Sequence, residues 1–229
     1  MTTFYSNSIA EKEITLDEND SRHAIRSLRL KLNDSVHVVS GKGELFYTEI
    51  LIDHPKKTVL SIIKKDLFKA DIPLVLAFCP TKNNDKNELV VEKAVEIGVT
   101  KILPIFSQNS ERRKWKTDRM NKIAIAAMKQ SGRYWLPEII DPMNFDDFIT
   151  TCEIQNRFIA HCRDQEKVSI NSIKEPKKPQ LILIGPEGDF SKEEINVALK
   201  NQFKAVDIGK NRLRTETACI TSLSILKID

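Results

Sequence analysis

Glycine is scarce in this sequence: seven residues among 229, beside nine prolines, four cysteines and 7% aromatics. So little Gly and Pro excludes collagen-like and low-complexity chains, and a 41% apolar, 30% charged balance is that of a chain that folds. The cysteines, Cys79, Cys152, Cys162 and Cys219, include no C-x-x-C pair. They suggest neither a disulfide framework nor a zinc site, and a reducing cytoplasm is the expected compartment. No run approaches the roughly 18 apolar residues that span a bilayer, and MTTFYSNSIAEKE lacks the basic-then-apolar order of an export signal. Also missing are G-x-G-x-x-G after the first strand, G-x-x-x-x-G-K-[ST], H-E-x-x-H and G-x-S-x-G, which removes the main support for Rossmann, P-loop and α/β-hydrolase enzymes. The histidines, His23, His37, His54 and His161, lack ligand spacing; His161 ends an expected strand beside Cys162 and reads as packed, with a minor claim on chemistry.

What is present is charge, unevenly placed. The net charge is only +4, yet residues 101 to 138 carry nine Lys/Arg, Arg112 and Arg133 among them, against Glu111, Asp118 and Glu138. A second cluster, Arg22, Arg26, Arg29 and Lys31, contains no acid. Two solvated faces would account for such runs. Trp115, Tyr134 and Trp135, however, interleave with the first cluster, and flat apolar rings beside cations suit a nucleic acid, whose phosphates attract Lys/Arg and whose unpaired bases stack.

The chain divides by rhythm near Lys69 to Pro73. Up to residue 70, short alternating runs (Phe4-Tyr5, Ile14 to Leu16, Val36 to Val39, Leu45 to Ile52, Val59 to Ile63) predict strands of a small β barrel, with a hairpin turn at Ser40 to Gly43. One helix interrupts them. With Asp20 or Ser21 as N-cap, its geometry puts Arg22, Arg26 and Arg29 on one stripe, adjacent to a packing face of Ile25, Leu28 and Leu32. Over 71 to 229, continuously apolar strands at 74–79, 101–106, 157–162, 181–185 and 205–209 alternate with helices at 85–97, 118–131, 192–200 and from about Thr215. That alternation predicts an α/β domain with a mostly parallel sheet covered on both faces.

Ligands of open parallel sheets lie beyond the carboxyl ends of the strands, which directs attention to the loops after Cys79, Ile184 and Ile208. Three of the seven glycines, Gly185, Gly188 and Gly209, sit just after the last two strands. Gly185-Pro186-Glu187-Gly188-Asp189 leads into Ser191, an N-cap with Glu194 three residues on, so a strand-to-helix turn with a capping box explains this loop as well as a binding role does. Between Gly209 and Ala218, capping explains Thr215 and Glu216 but not Arg212 and Arg214.

LILIGPEGDFSKEEI and VDIGKNRLRTETA together resemble the two signature loops of the RsmE family, SPOUT-class methyltransferases that make N3-methyluridine in 16S ribosomal RNA. The resemblance covers the whole chain. RHAIRSLRLKLND is similar to the family's N-terminal H-x-x-R-x-L-R element, KNNDKNELVVEKAVEIGVTKILPIFSQNS to its K-x-x-E-x-x-x-x-K-x-x-E-x-G-V block, and MKQSGRYWLPEI to its E-Q-S-x-R-x-x-x-P element. Two departures stand out: Asp189 replaces the last glycine of the usual G-P-E-G-G, and Lys129 replaces the Glu before Gln-Ser.

The resemblance implies a PUA-like β-barrel RNA-binding domain (1–70), then a SPOUT domain (71–229) whose C-terminal segment threads a trefoil knot, in a homodimer that needs no metal. It implies S-adenosylmethionine held by Leu183, Ile184, Gly185, Glu187, Gly188, Ile208, Gly209, Leu213, Thr215, Thr217 and Ala218. Arg214 and Glu216 are the implied catalytic residues, and Arg22, Arg26, Arg29, Arg112 and Arg133 would hold 16S rRNA in the small ribosomal subunit. Two alternatives remain: a non-catalytic rRNA-binding or ribosome-assembly factor on the same scaffold, and a cytosolic enzyme for a small anionic substrate. The first predicts basic clusters without a cofactor pocket, and the second leaves the N-terminal arginines unexplained.

Overall fold

A computed structural model describes residues 2–111 and 113–228; Arg112 lies outside the described residues. The chain forms two compact units, one of residues 1–70 with 125–136, the other of 71–124 with 137–229. The chain therefore passes between units three times, where the change of rhythm suggested a single junction. Residues 125–136 belong to the first unit because their aromatics find partners there. Tyr134 stacks on Phe68 at 3.8 Å, the Trp135 Nε1–H donates to the Phe68 carbonyl, and the Trp135 ring covers Gly43.

In the first unit, β1 (Thr3–Tyr5), β2 (Glu13–Thr15), β3 (Ser35–Val39), β4 (Glu44–Ile52) and β5 (Val59–Leu67) form a five-stranded sheet ordered β1-β3-β4-β5-β2. Only β1 and β3 run parallel. Alternation sets Phe4, Ile14, Val36, Val38, Phe46 and Leu60 on one buried face. Gly41 (φ 73°) and Gly43 (φ 82°) take the left-handed turn between β3 and β4.

The interrupting helix corrects the sequence reading. Asp17, not Asp20 or Ser21, caps α1 (Glu18–Arg22), accepting from the Asp20 N–H at 2.7 Å. The chain then widens into a π-helical turn over His23–Ser27, and Arg29 lies past its end at φ 56°. The wider turn breaks the 100° periodicity, so Arg22, Arg26 and Arg29 do not form one helical stripe. Arg22 is paired with Glu18 at 2.7 Å. Ile25 packs on the core, but Leu28 and Leu32 are exposed, so the expected packing face is only partly formed.

The second unit carries β6 (Leu74–Phe78), α2 (Asn84–Ile97), β7 (Lys101–Phe106), the start of α3 (Thr117–Gln130), β8 (Glu138–Ile139), β9 (Met143–Asn144) and α4 (Phe145–Thr151). It continues through β10 (Asn156–Ala160), β11 (Val168–Ser169), α5 (Ile170–Ile173), β12 (Gln180–Ile184), α6 (Lys192–Lys200), β13 (Lys204–Asp207) and α7 (Thr215–Lys227). The expected α/β alternation is present, and every pairing in the sheet is parallel, in the order β11-β13-β10-β12-β6-β7-β8 with β9 beside β7. The strands β6 and β12 are buried at every residue, which their continuous apolar runs require of a sheet covered on both faces. Gly98 ends α2 at φ 101°. Alternation of long elements did not reveal α4, although Phe145, Phe148 and Ile149 at helical spacing carry its signal and are buried.

Candidate active site

Sheet order builds the site. β10 lies between β12 and β13, with Ala160 opposite both Ile184 and Val206. The three strands end side by side, and the chain segments that follow them surround a cavity of about 670 Å³. One wall comes from Gly185 to Glu187 with Asp189, a second from Ile208 to Glu216, and a third from His161, Cys162 and Lys167. Lys86, on the first turn of α2, completes it. The two glycine-bearing loops are tied directly: the Thr215 hydroxyl donates to the Gly185 carbonyl at 3.2 Å. Thr215 was expected to cap α7 with its side chain; instead Arg214 holds the cap position and the hydroxyl makes this crossing bond. At the other helix the capping box of Ser191 and Glu194 forms as expected, and Glu194 Oε1 also accepts the Gln108 N–H at 2.7 Å.

Of the cofactor residues inferred from the sequence, Ile184, Gly185, Glu187, Ile208, Gly209, Leu213, Thr215 and Ala218 line the cavity, as do Arg214 and Glu216. Leu183, Gly188 and Thr217 do not. Leu183 is buried in the sheet core, Thr217 is exposed on α7, and a Cβ on Gly188 would lie 3.4 Å from Asn109 Cβ. The tight glycine is Gly185, where a Cβ would meet the Phe190 ring at 3.0 Å. The loop after Cys79 adds no lining residue, whereas the β10 end, not among the loops singled out, supplies a wall. Lys86 and Asp207 were also missed: Lys86 sits in an ordinary charged stretch and Asp207 inside the expected strand at 205–209, and only the fold brings them to the cavity.

Electrostatics single out Glu216, a buried acid whose Oε1 meets Lys86 Nζ at 2.9 Å. Its Oε2 is buried with no hydrogen-bond partner. Burial pushes the Glu216 pKa upward, but the Lys86 hydrogen bond, its own N–H and the charges of Lys86 and Arg214 outweigh burial and hold it below the usual carboxylate value. His161 is 7% exposed, and neither ring nitrogen has a hydrogen-bond partner. Burial, then the Lys167 charge, lower its pKa against the opposing pull of Asp189, so it is neutral at pH 7.

The basic residues differ in setting. Arg26 and Arg29 are exposed in the first unit, and Arg133 is half-buried there. The aromatics are engaged in packing: beyond Tyr134 and Trp135, Trp115 meets Phe78 edge-on at 5.7 Å in the second unit. Lys129, at the departure noted above, binds Asp20 at 3.0 Å. No helix among the described residues is long and apolar enough to cross a membrane.

A family model described as RNA methyltransferase domain matches residues 69–227. Over 98% of each chain, the sequence is 31% identical to a ribosomal RNA small subunit methyltransferase E of Mesomycoplasma hyopneumoniae. Among solved structures, a probable rRNA-methyltransferase from Porphyromonas gingivalis is 32% identical, with a TM-score of 0.91 over 97% of this chain and 95% of that one. A ribosomal RNA small subunit methyltransferase E from Neisseria gonorrhoeae, solved bound to S-adenosyl methionine, is 25% identical with a TM-score of 0.87 over 97% and 95% of the two chains.

Proposed function

This chain belongs to the ribosomal RNA small subunit methyltransferase E family, and from that premise we propose that it methylates N3 of a uridine in 16S ribosomal RNA. Its fold is that of the family, a PUA-like β-barrel domain joined to a SPOUT α/β domain, and its methyl donor is S-adenosylmethionine. The observation that carries the reading is the cavity at the β10, β12 and β13 ends, where the Thr215 to Gly185 bond joins both signature loops. Its volume, about 670 Å³, suits a nucleoside-sized ligand. Its lining pairs apolar Ile184, Ile208, Leu213 and Ala218 with charged Glu187, Asp207 and Glu216, as a molecule with an adenine at one end and an amino acid at the other requires.

S-adenosylmethionine supplies a methyl group activated on a sulfonium. The chain's residues hold that group, exclude water and manage the proton that N3 loses. The backbone near Gly185 and Gly209 lets the ligand approach closely. Arg214, an exposed residue of the cavity lining, donates hydrogen bonds to the uracil oxygen on which negative charge grows as the N3–H bond weakens. Glu216 is ionised and fixed by Lys86 through Oε1; to accept N3–H, its buried Oε2 turns toward the cavity when the uracil enters. Its lowered pKa makes it an acceptor that orients N3–H rather than the group that keeps the proton, which passes from N3 to water. With the donor bound, methyl transfer to N3 would leave the C–S electron pair on sulfur, and the N3 proton would go to water. Arg22, Arg26, Arg29, Arg112 and Arg133 bind the RNA backbone. The same reading includes a homodimer acting on the small subunit in the cytoplasm.

The test joins calorimetry with product analysis. S-adenosylmethionine should bind at one saturable site, and small subunits incubated with methyl-labelled donor should yield 3-methyluridine on nuclease digestion. Label in any other nucleoside refutes the N3 assignment, and absence of donor binding at millimolar concentration leaves the non-catalytic assembly factor standing.

A further inference from the structure

Asp189 occupies a backbone position that favours glycine. Its φ is 64°, in the left-handed region where a side chain crowds the following carbonyl. The side chain is nevertheless fully employed. Asp189 Oδ1 accepts the Phe190 N–H at 2.9 Å, and Oδ2 accepts the Cys162 N–H, 27 residues away in sequence, at 2.9 Å. The backbone around it is equally committed: the Asp189 N–H donates to the Pro186 carbonyl at 2.9 Å, and its own carbonyl accepts from Asn109 Nδ2 at 2.9 Å. Alongside, Arg163 Nε donates to the Phe190 carbonyl at 3.3 Å.

A turn residue needs the Phe190 and Pro186 bonds but not the bond to Cys162. That bond joins two walls of the cavity, because His161 and Cys162 line one side while Gly185 to Glu187 line another. Lys167 Nζ ties the segment to itself, donating to the His161 carbonyl at 3.2 Å and the Arg163 carbonyl at 3.0 Å, so the bonds that join the β10 exit to the β12 loop are those of Arg163 and of Asp189, and only the Asp189 bond is made by a charged acceptor. We infer that Asp189 is a positioning residue for the S-adenosylmethionine pocket: its carboxylate clamps the β10 exit to the β12 loop and preforms the cavity that a glycine would leave free to open. The inference rests on the proposed donor site. A preformed wall raises affinity because less conformational freedom is lost on binding.

The experiment compares wild type with Asp189→Gly and Asp189→Asn by S-adenosylmethionine calorimetry, thermal melting and hydrogen exchange at the Cys162 amide. Asp189→Gly relieves the left-handed strain but removes two carboxylate hydrogen bonds, so its melting temperature should change by only a few degrees. Donor affinity should fall on the order of tenfold, with Cys162 exchange accelerated. Asp189→Asn keeps one acceptor oxygen and should recover part of both. Wild-type affinity and unchanged Cys162 exchange in Asp189→Gly would overturn the inference. A parallel loss of melting temperature and affinity that Asp189→Asn fails to rescue would overturn it as well, by making Asp189 a support of the fold. If wild type itself binds no donor, the proposed function fails, and Cys162 exchange in the free proteins still decides whether the clamp exists.

Discussion

Replacing Lys86 with Met would remove the cation 2.9 Å from Glu216 Oε1 while keeping most of the side-chain volume. Glu216 would then be a buried carboxylate opposed only by its own N–H and the charge of Arg214. Breaking a fully buried pair by deleting one partner costs about 3 to 5 kcal/mol. The Lys86 side chain is 31% exposed and the Glu216 side chain 12%, so water screens part of this. The expected loss at pH 7 is about 2 kcal/mol.

The pH dependence follows from linkage. In wild type the folded pKa of Glu216 lies below 4.5, so its stabilising contribution is complete above 4.5 and is lost as pH falls through the folded value. In Lys86→Met the hydrogen bond and the charge that do most to offset burial are gone, so the folded pKa is higher than in wild type. The deficit of the variant is therefore largest at neutral pH and shrinks as acid protonates the stranded carboxylate. Urea denaturation across pH 3 to 8, run as a double-mutant cycle with Glu216→Gln, measures the coupling directly. The double variant should regain most of the lost stability, since it leaves no buried charge. A coupling below about 0.5 kcal/mol, or a deficit independent of pH, would refute the electrostatic account of Glu216.

Arg214→Lys keeps the charge but loses the planar fork, and the single-turnover methylation rate should fall about a hundredfold while both substrates still bind; rapid-quench assays read this. Changing Arg22, Arg26 and Arg29 together to Gln should flatten the slope of log K for RNA against log salt by about 2 to 3 while leaving donor affinity unaltered, measured by filter binding over a salt series. In Gly43→Ala, the added Cβ would lie 2.5 Å from the Trp135 ring at a φ of 82°. That should destabilise the first unit by about 2 kcal/mol in urea denaturation. With a disulfide reagent at pH 8, exposed Cys162 should react rapidly, whereas Cys79, its thiol pushed up to about 12 by burial, and buried Cys219 should react only on unfolding.

Local order determined much of this protein. Period-two runs specified the strands of the first unit, continuous apolar runs specified the buried strands β6 and β12, and Ser191 with Glu194 specified the start of α6, because each depends on residues a few positions apart. The glycines after β12 and β13 marked two of the three loops that surround the cavity. Only the tertiary structure decided that β10 would lie between those strands and bring His161 and Cys162 to the third wall, since strand order depends on long-range pairing that leaves no local trace. The same holds for Lys86 meeting Glu216 and for residues 125–136 joining the first unit. Charge at Lys86 and aromaticity at Tyr134 and Trp135 are visible in the sequence, but their partners lie dozens of residues away. The arginine stripe failed for the opposite reason: an ideal helical period was projected past Arg22, where hydrogen bonding shifts to the wider turn and carries Arg29 out of the helix.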